Sequence, residues 1–577
     1  MSGRLALFFL RSLWGELLLI LFFLIVSNNY LTKRDNLIEA DGRGYYEFLP
    51  AIFIYKDLHF KYLDTLQTEF YDDEMIARDF YARLEDGQRF DKYFIGTAVL
   101  QAPFFAVGHF WASNSSRYLA DGFSTPYQIS IYFAALFYTF LGLVFIRLLL
   151  KSYQVNRTWI LVAQFGVIFC SSMLDYMHWD AAYSHVYSFF LIAGFLYCTR
   201  NYFLEDKSKS LFWAIVFIGM IILVRPVNGL ILLFIPLLTE NFSSLFLSLK
   251  KLFFSHFKTT IFSVILVALI LQIQCLIWFA QTGNWIHYAY GEETFNWTEP
   301  HFSDFLFSYR KGFFLWAPWF FTVFVVGIIG HLFLKLNQKL IYFVLAFSLL
   351  IYVLSSWWIW SYGGSIGSRV MIDFYPVFLV FLAPILASKV NGLKRIILLS
   401  APIFTVIMII QTYQFQKGIL RIDHMDKESY WKVFLKTDPK YVFYLSKEEK
   451  YFKMCIQQRK WTNYKLMPKD TWYILDTLNV DLPNDTLVHG GQILFNSYTK
   501  DGGETLEIRV LDENDSLLFN HYTTLLHVID EKNNKNLVDY RFYIDKILPK
   551  KIKCVFVILT KKETLTIDSM KIRFFTD

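Results

Sequence analysis

The chain has 577 residues, 55% of them hydrophobic and 18% charged, with a formal net charge of +7. That is more apolar than a soluble domain of this length. Its basic residues gather at the ends of apolar segments, which points to orientation in a bilayer and away from a nucleic-acid partner.

The first apolar run, Leu13 to Val26, follows Arg4 and Arg11 and lacks a small-residue cleavage site, so it reads as a retained first helix. Runs near the length that crosses a ~30 Å hydrocarbon core recur to about residue 416 and then stop. The predicted spans are 11–27, 127–149, 158–174, 184–203, 211–224, 226–239, 259–280, 313–334, 340–357, 374–388 and 395–415, about eleven transmembrane helices. The run from Tyr93 to Trp111 reads as an interfacial or re-entrant helix, because a crossing there would put Arg147, Lys151 and Arg157 outside. Within 211–239, Arg225-Pro226 predicts a break into two short helices that meet at the outer face, since proline removes a backbone donor and ends the preceding turn. A single span there would expose Lys250, Lys251 and Lys258 on the wrong side.

With this topology the inner side holds Arg4, Arg11, Arg147, Lys151, Arg157, Arg200, Lys207, Lys209, Lys250, Lys251, Lys258, Lys335, Lys339, Lys389, Lys394 and Arg395. The short outer loops hold only Arg225, Arg310, Lys311 and Arg369. Positive residues are retained inside, so the N-terminus is cytoplasmic, while the long loop 28–126 and the tail face outward from the cell (inner) membrane.

After Gln416 the pattern changes to polar turns between runs of period two, such as Leu506, Ile508, Val510 and Ile552, Cys554, Phe556, with Asp501-Gly502-Gly503 as a turn. The expected architecture is therefore a polytopic α-helical membrane domain over 1–416, a helical connector over 417–470 and an extracytoplasmic soluble β-sandwich over 471–577. Cys455 and Cys554 lack CxxC spacing, which leaves a disulfide between them open and gives no support to a zinc site.

Chemistry concentrates in the outer loops. The first carries Glu39-Ala40-Asp41-Gly42-Arg43-Gly44-Tyr45-Tyr46-Glu47, an acid beside glycines just after a membrane helix. Loop aspartates are most often simply solvated. The next outer turn holds Asp175, His178, Asp180 and His185, a spacing that suits proton transfer or a divalent metal, although interfacial histidines more often anchor helix ends. Arg225 lies between two apolar helices, where a cation is expensive unless paired or facing water. Arg310, Lys311 and Arg369 suit lipid phosphate, with headgroup anchoring as the bland alternative. A carboxylate among cations on one side of the membrane fits transfer of a lipid-linked sugar. The cations would hold the departing phosphate while the carboxylate takes the proton of an acceptor hydroxyl. No Walker-type loop is present to bind a nucleotide.

Over about residues 1–415 the chain resembles the GT-C glycosyltransferases, particularly the branch with protein O-mannosyltransferases, the aminoarabinose transferase of lipid A and bacterial family 39 enzymes. The resemblance rests on Asp41 followed four positions later by Tyr45, on Lys92-Tyr93-Phe94-Ile95-Gly96 ahead of Pro103, and on Arg225-Pro226-Val227-Asn228. Arg310-Lys311-Gly312 ahead of Pro318, and Gly363-Gly364-Ser365-Ile366-Gly367-Ser368-Arg369 followed by Asp373 and Pro376, complete it. The resemblance implies transfer from a polyprenyl- or dolichyl-phosphate sugar to a glycan, lipid or protein acceptor, with inversion at the anomeric carbon. Asp41 would be the base or the acid that orients the acceptor. Helices near 45–57 and 93–111 would roof the site. Where many relatives carry a second carboxylate after that aspartate, this chain has Gly42, with Glu47 or Asp180 as substitutes. The competing reading is a transporter or flippase of a lipid-linked glycan, which favours related halves with matching broken helices. The sequence offers one such break, at Arg225. A plain membrane anchor for the tail would not need so many spans.

Overall fold

The computed structural model describes residues 2–32, 36–69, 81–83, 89–291, 293–421, 425–438 and 441, followed in the tail by 454–455, 459–466, 472–481, 486–497, 505–513, 515–524, 537–548, 551–559 and 565–576. The chain divides into two compact units, Met1–Val442 and Phe443–Asp577.

The first unit is helical. Helix α1 (Ser2–Tyr30) is followed in the long loop by α2 (Ala40–Pro50), which runs into a π-turn (Ala51–Tyr55), and then by α3 (Tyr62–Glu69). Strands β1 (Tyr81–Arg83) and β2 (Arg89–Asp91) pair antiparallel before α4 (Gly96–Ser113). Helices α5 (Thr125–Ser152), α6 (Arg157–Phe169), the single turn α7 (Met173–Tyr176), α8 (Ser184–Glu205) and α9 (Ser208–Val224) come next. Pro126 starts α5 and the Asn156 side chain caps α6 by accepting from Thr158 and Trp159 N–H, both ordinary helix starts.

At Arg225 the backbone turns extended (φ −153°, ψ 109°), as the residue before proline prefers, and a 3₁₀ helix (Pro226–Leu238) replaces the α-helix expected there. It bends by 119° into α10 (Phe242–Phe253), a helix the sequence reading did not anticipate. Helix α10 carries its apolar residues on one face instead of in a continuous run. A search for long apolar runs therefore passes over it. Helix α11 (Phe257–Thr282) ends at Gly283, whose φ of +74° is a left-handed C-cap. The short helices α12 (Phe302–Phe307) and α13 (Phe313–Trp316) lead to α14 (Pro318–Phe333) and α15 (Asn337–Ser355). A 3₁₀ turn (Arg369–Phe374) opens directly into α16 (Tyr375–Ala387), followed by α17 (Asn391–Gln416) and α18 (Lys427–Val433).

Helical structure occupies each of the eleven segments predicted as spans, but only six of the described helices are long and apolar enough to cross a membrane, or up to seven if the bent pair counts as one span. Several of the others, α6, α9 and α14 among them, are apolar yet too short. The unit is a membrane protein with a continuous apolar core built around Phe23, Phe169, Phe189, Trp319 and Phe378. A second cluster, including Tyr46, Phe48, Tyr93, Phe105 and Tyr127, packs the first-loop helices onto α4 and α5.

One polar knot crosses this core. Glu16 on α1 is fully buried and accepts from Arg147 Nε at 3.0 Å, Gln164 Nε2 at 2.9 Å and Arg157 Nη2 at 3.3 Å. A buried carboxylate is stable only while its cations stay. Glu16→Ala strands the buried Arg147, and we expect a loss of about 3–5 kcal/mol, seen as a lowered thermal unfolding temperature.

The regular elements described in the second unit are all strands. Strands β3 (Met454–Cys455), β4 (Arg459–Leu466), β5 (Trp472–Asp481) and β6 (Thr486–Ser497) are followed by β7 (Thr505–Leu511), β8 (Leu517–Thr524), β9 (Leu537–Leu548), β10 (Lys551–Leu559) and β11 (Leu565–Thr576). One antiparallel sheet has the order β5-β10-β7-β8, and the other has β3-β11-β6-β9 with β4 also on β11. In the first sheet Cys554 faces Val510 and Phe556 faces Ile508, and all four are buried, as the period-two pattern anticipates. The Asp501-Gly502-Gly503 turn lies outside the described residues.

One expectation for the tail needs correction, and one open question is answered. The segment 417–470 is not a purely helical connector, because strands begin at Met454. Trp461, Thr462 and Tyr464 are β-favouring residues in the run that forms β4. Cys554 is a free, buried thiol without a disulfide to Cys455, and the two cysteines belong to different sheets.

Candidate functional site

The first turn of α2 presents Asp41, and Tyr45 follows one turn later on the same face. Both line a cavity of about 890 Å³ together with Lys92, Tyr93, His185, Arg225 and Arg369. Gly42 lets α2 approach this closely, since a Cβ there would stand 2.9 Å from the Tyr183 ring and 3.0 Å from Ala182 Cβ. The position after Asp41 is thus packed against the start of α8. Gly96 works similarly at the start of α4, where any Cβ would collide with the Leu223 backbone, and this close approach brings Lys92 and Tyr93 beside the end of α9.

Asp41 is the electrostatic centre. Its Oδ2 accepts from Arg369 Nη2 at 2.5 Å, and the Arg369 guanidinium also lies over the Tyr183 ring at 5.6 Å. Burial pushes the Asp41 carboxyl up, but Arg369, the Tyr93 hydroxyl and Lys92 together outweigh it and hold the carboxyl below the ordinary aspartate value. The Tyr93 hydroxyl, pushed well up by burial and by Asp41, keeps its proton and donates to that carboxylate.

A second cluster meets the first from the other wall. Asp373, fully buried in the 3₁₀ turn that Arg369 begins, bonds His185 Nδ1 at 2.8 Å through Oδ1. Its Oδ2 accepts from Asn228 Nδ2 at 2.8 Å and pairs with Arg225 Nη1 at 3.7 Å. The break at Arg225-Pro226 is what turns this guanidinium sideways into the cavity.

The third wall comes from the loop between α11 and α12, closed onto the loop after α15. Phe295 and Trp357 form an isolated bridge, Asn296 N–H donates to Ser356 O at 2.6 Å, and Trp358 N–H donates to Thr294 O at 2.9 Å. This loop contributes Glu293, which pairs with Lys92 at 3.2 Å, and the aromatic rings of Tyr288, Tyr290 and Trp297. Val227, Leu230, Leu233 and Val353 make the remaining side apolar.

Several predicted residues lie elsewhere. Lys311 is buried, its ammonium donates to the Ser365 carbonyl, and it ties the turn before α13 to the glycine-rich loop. The Arg310 guanidinium packs over Trp360 at 5.8 Å, and neither residue lines the cavity. Glu47, two-thirds of a turn round the helix from Asp41, faces away and is fully buried against Arg43 Nε at 2.9 Å and the Tyr62 hydroxyl at 2.5 Å. Asp175 accepts from Gln416 Nε2 at 2.9 Å, and His178 Nε2 donates to the Thr32 carbonyl at 3.0 Å, so both tie the α7 turn to distant chain. Asp180 is buried in the same turn, where its carbonyl accepts Tyr183 N–H at 3.0 Å. Only His185 of that group reaches the cavity. Among the described residues no three His, Cys, Asp or Glu side chains gather as a metal site, so the Asp175, His178, Asp180 and His185 set does not converge as ligands.

Asp373, Glu293, Trp357 and Trp358 had no assigned role in the sequence reading. Asp373 did carry a local signal: it is an ionisable residue inside the apolar run from Val370 to Pro376, where an acid is costly without partners.

No family model matches the chain, and no curated protein matches it. Among solved structures it is similar to the oligosaccharyltransferase AglB from Archaeoglobus fulgidus in complex with an inhibitory peptide and a dolichol-phosphate, at 11% identity and a TM-score of 0.36, over 73% of this chain and 57% of that one. It is also similar to the apo form of the Archaeoglobus fulgidus oligosaccharyltransferase, at 12% identity and a TM-score of 0.35, over 74% and 60%. A third similarity is to the arabinosyltransferase EmbB from Mycobacterium smegmatis, at 8% identity and a TM-score of 0.37, over 97% and 64%. The chain thus spans less than two thirds of the length of each, and likenesses this remote leave the site's own residues as the ground for a functional reading.

Proposed function

We propose that this chain is a glycosyltransferase that moves a sugar from a polyprenyl-phosphate donor to an extracytoplasmic acceptor, a glycan, lipid or protein, with inversion. The carrying observation is that Asp41, Arg225 and Arg369 line one cavity with an apolar side wall. An acid, two guanidiniums and a hydrocarbon surface together match a lipid phosphate bearing a sugar. In this reading Arg225 and Arg369 hold the phosphate, and Val227, Leu230 and Leu233 receive the first prenyl units. Asp41 engages the acceptor hydroxyl, either as base or as the group that orients it. The cavity opens on the outer side, with the N-terminus cytoplasmic and the tail extracytoplasmic.

The test is an assay of purified membranes with a panel of prenyl-phosphate sugars. We expect one donor to be used, and Arg225→Ala to raise its KM about tenfold or more, the value of a lost charge-assisted hydrogen bond. No transfer from any donor sinks the reading. An unchanged donor KM in Arg225→Ala removes the phosphate role.

A further inference from the structure

The proton of the acceptor hydroxyl needs a destination, and besides Glu293, which is paired with Lys92 at 3.2 Å, and His287, which lies edge-on to the Phe90 ring, the cavity contains two groups that can take it. Asp41 is the more heavily engaged of the two. Its carboxylate is already committed to Arg369 at 2.5 Å and to the Tyr93 hydroxyl, and those partners hold it below the ordinary aspartate range. The second group is His185, in the first turn of α8 on the opposite wall.

Its surroundings settle which ring nitrogen carries the proton. Asp373 is fully buried and its Oδ2 already accepts from Asn228 at 2.8 Å, while Asn228 in turn is held against Ser188 Oγ at 3.0 Å. Paired with Arg225 at 3.7 Å, this carboxylate can only accept. The 2.8 Å bond to Oδ1 therefore places a proton on His185 Nδ1 and leaves the lone pair on Nε2. Arg225 Nη1 stands 3.2 Å from Nδ1 and 3.5 Å from Nε2, so with Nδ1 protonated its N–H has only the long contact to the Nε2 lone pair, which the acceptor hydroxyl must displace. The other groups facing the ring are Tyr176, edge-on with centroids 4.9 Å apart, and Arg369 within electrostatic range.

We infer that His185, held by Asp373, is the general base of the transfer and that Asp41 orients the acceptor. This rests on the glycosyltransferase reading above. In the step, the acceptor oxygen forms its bond to the anomeric carbon while its proton passes to His185 Nε2. The bond from the anomeric carbon to the phosphate oxygen breaks, and its electron pair leaves on the prenyl phosphate, facing Arg225 and Arg369. Asp373, bonded to Nδ1, stabilises the imidazolium, which then loses its proton to water. Asp373 and Asn228 are positioning residues, acting through His185 and Arg225.

The experiment compares His185→Gln, His185→Ala and Asp373→Asn with the unaltered full-length protein in the membrane assay. Gln keeps a donor for Asp373 but is not a base. For His185→Gln we expect kcat to fall about 100-fold or more with donor KM within twofold, and the acid limb of the pH–rate profile to lose the His185 ionisation and keep only that of Asp41. Added imidazole is expected to restore part of the rate to His185→Ala, which a structural role would not allow. A His185→Gln variant within threefold of the unaltered kcat, or a folded His185→Ala variant deaf to imidazole, overturns the proposal while leaving the transferase reading intact. Absence of transfer by the unaltered protein with every donor overturns both.

Discussion

Asp41→Asn is expected to lower the transfer rate by about 10²–10⁴-fold while the protein still folds and inserts. Asparagine matches aspartate in size, so the α2 approach to Tyr183 survives. What changes is charge. The Arg369 guanidinium, now 2.5 Å from a carboxylate oxygen, loses its counter-ion, and an amide that points its NH₂ group at Arg369 would repel it. The acceptor hydroxyl then meets no anion, in either role assigned to Asp41. Initial rates against donor concentration check this, and an unchanged kcat eliminates Asp41 from the chemistry. A stability effect accompanies it and has a definite sign. Because the folded carboxyl sits below its ordinary value, it stabilises the fold above the unfolded pKa, and that contribution disappears as pH falls through the folded pKa. The Asn variant should therefore unfold more easily than the unaltered protein at neutral pH, with the difference vanishing in acid.

Legibility from sequence followed the range of the interactions. Helix placement was readable because each membrane helix writes its own apolar run, and Arg225-Pro226 was readable because proline acts on the residue beside it. Asp41 and Tyr45 share a face through the helical period alone. The same period separates Glu47 from them, so an acid six positions on became the buried partner of Arg43 and Tyr62. Lys311 and Arg369 look alike in sequence, as cations in outer loops. Burial against the Ser365 carbonyl distinguishes Lys311, and that depends on chain more than fifty residues away. Asp373 with His185, and Lys92 with Glu293, join positions 188 and 201 residues apart, beyond the reach of any local pattern. The aromatic wall was invisible for a different reason: tryptophan and tyrosine are expected throughout interfacial loops, so Trp357 and Trp358 carry no mark of their place in the cavity.

The pairing of Arg369 with Asp41 gives the remaining large effect. Arg369→Ala should raise the donor KM about tenfold or more and also move the acid edge of the kcat/KM profile to higher pH. Among the influences on Asp41, burial is the largest and pushes its carboxyl up. Arg369 is the strongest of those that oppose it, ahead of Tyr93 and Lys92. Removing Arg369 leaves burial less opposed, the carboxyl moves up, and Asp41 takes its proton at a pH where the unaltered site is still ionised. Activity needs that carboxylate ionised whether it accepts the proton or only orients the hydroxyl, so the loss on acidification begins earlier. Arg369→Lys restores the charge but not the two-pronged donor, and should recover the acid edge more fully than the KM. An Arg369→Ala profile that overlays the unaltered one would mean that the contact at 2.5 Å has no bearing on how Asp41 titrates, and the cavity would lose the electrostatic coupling on which its chemistry depends.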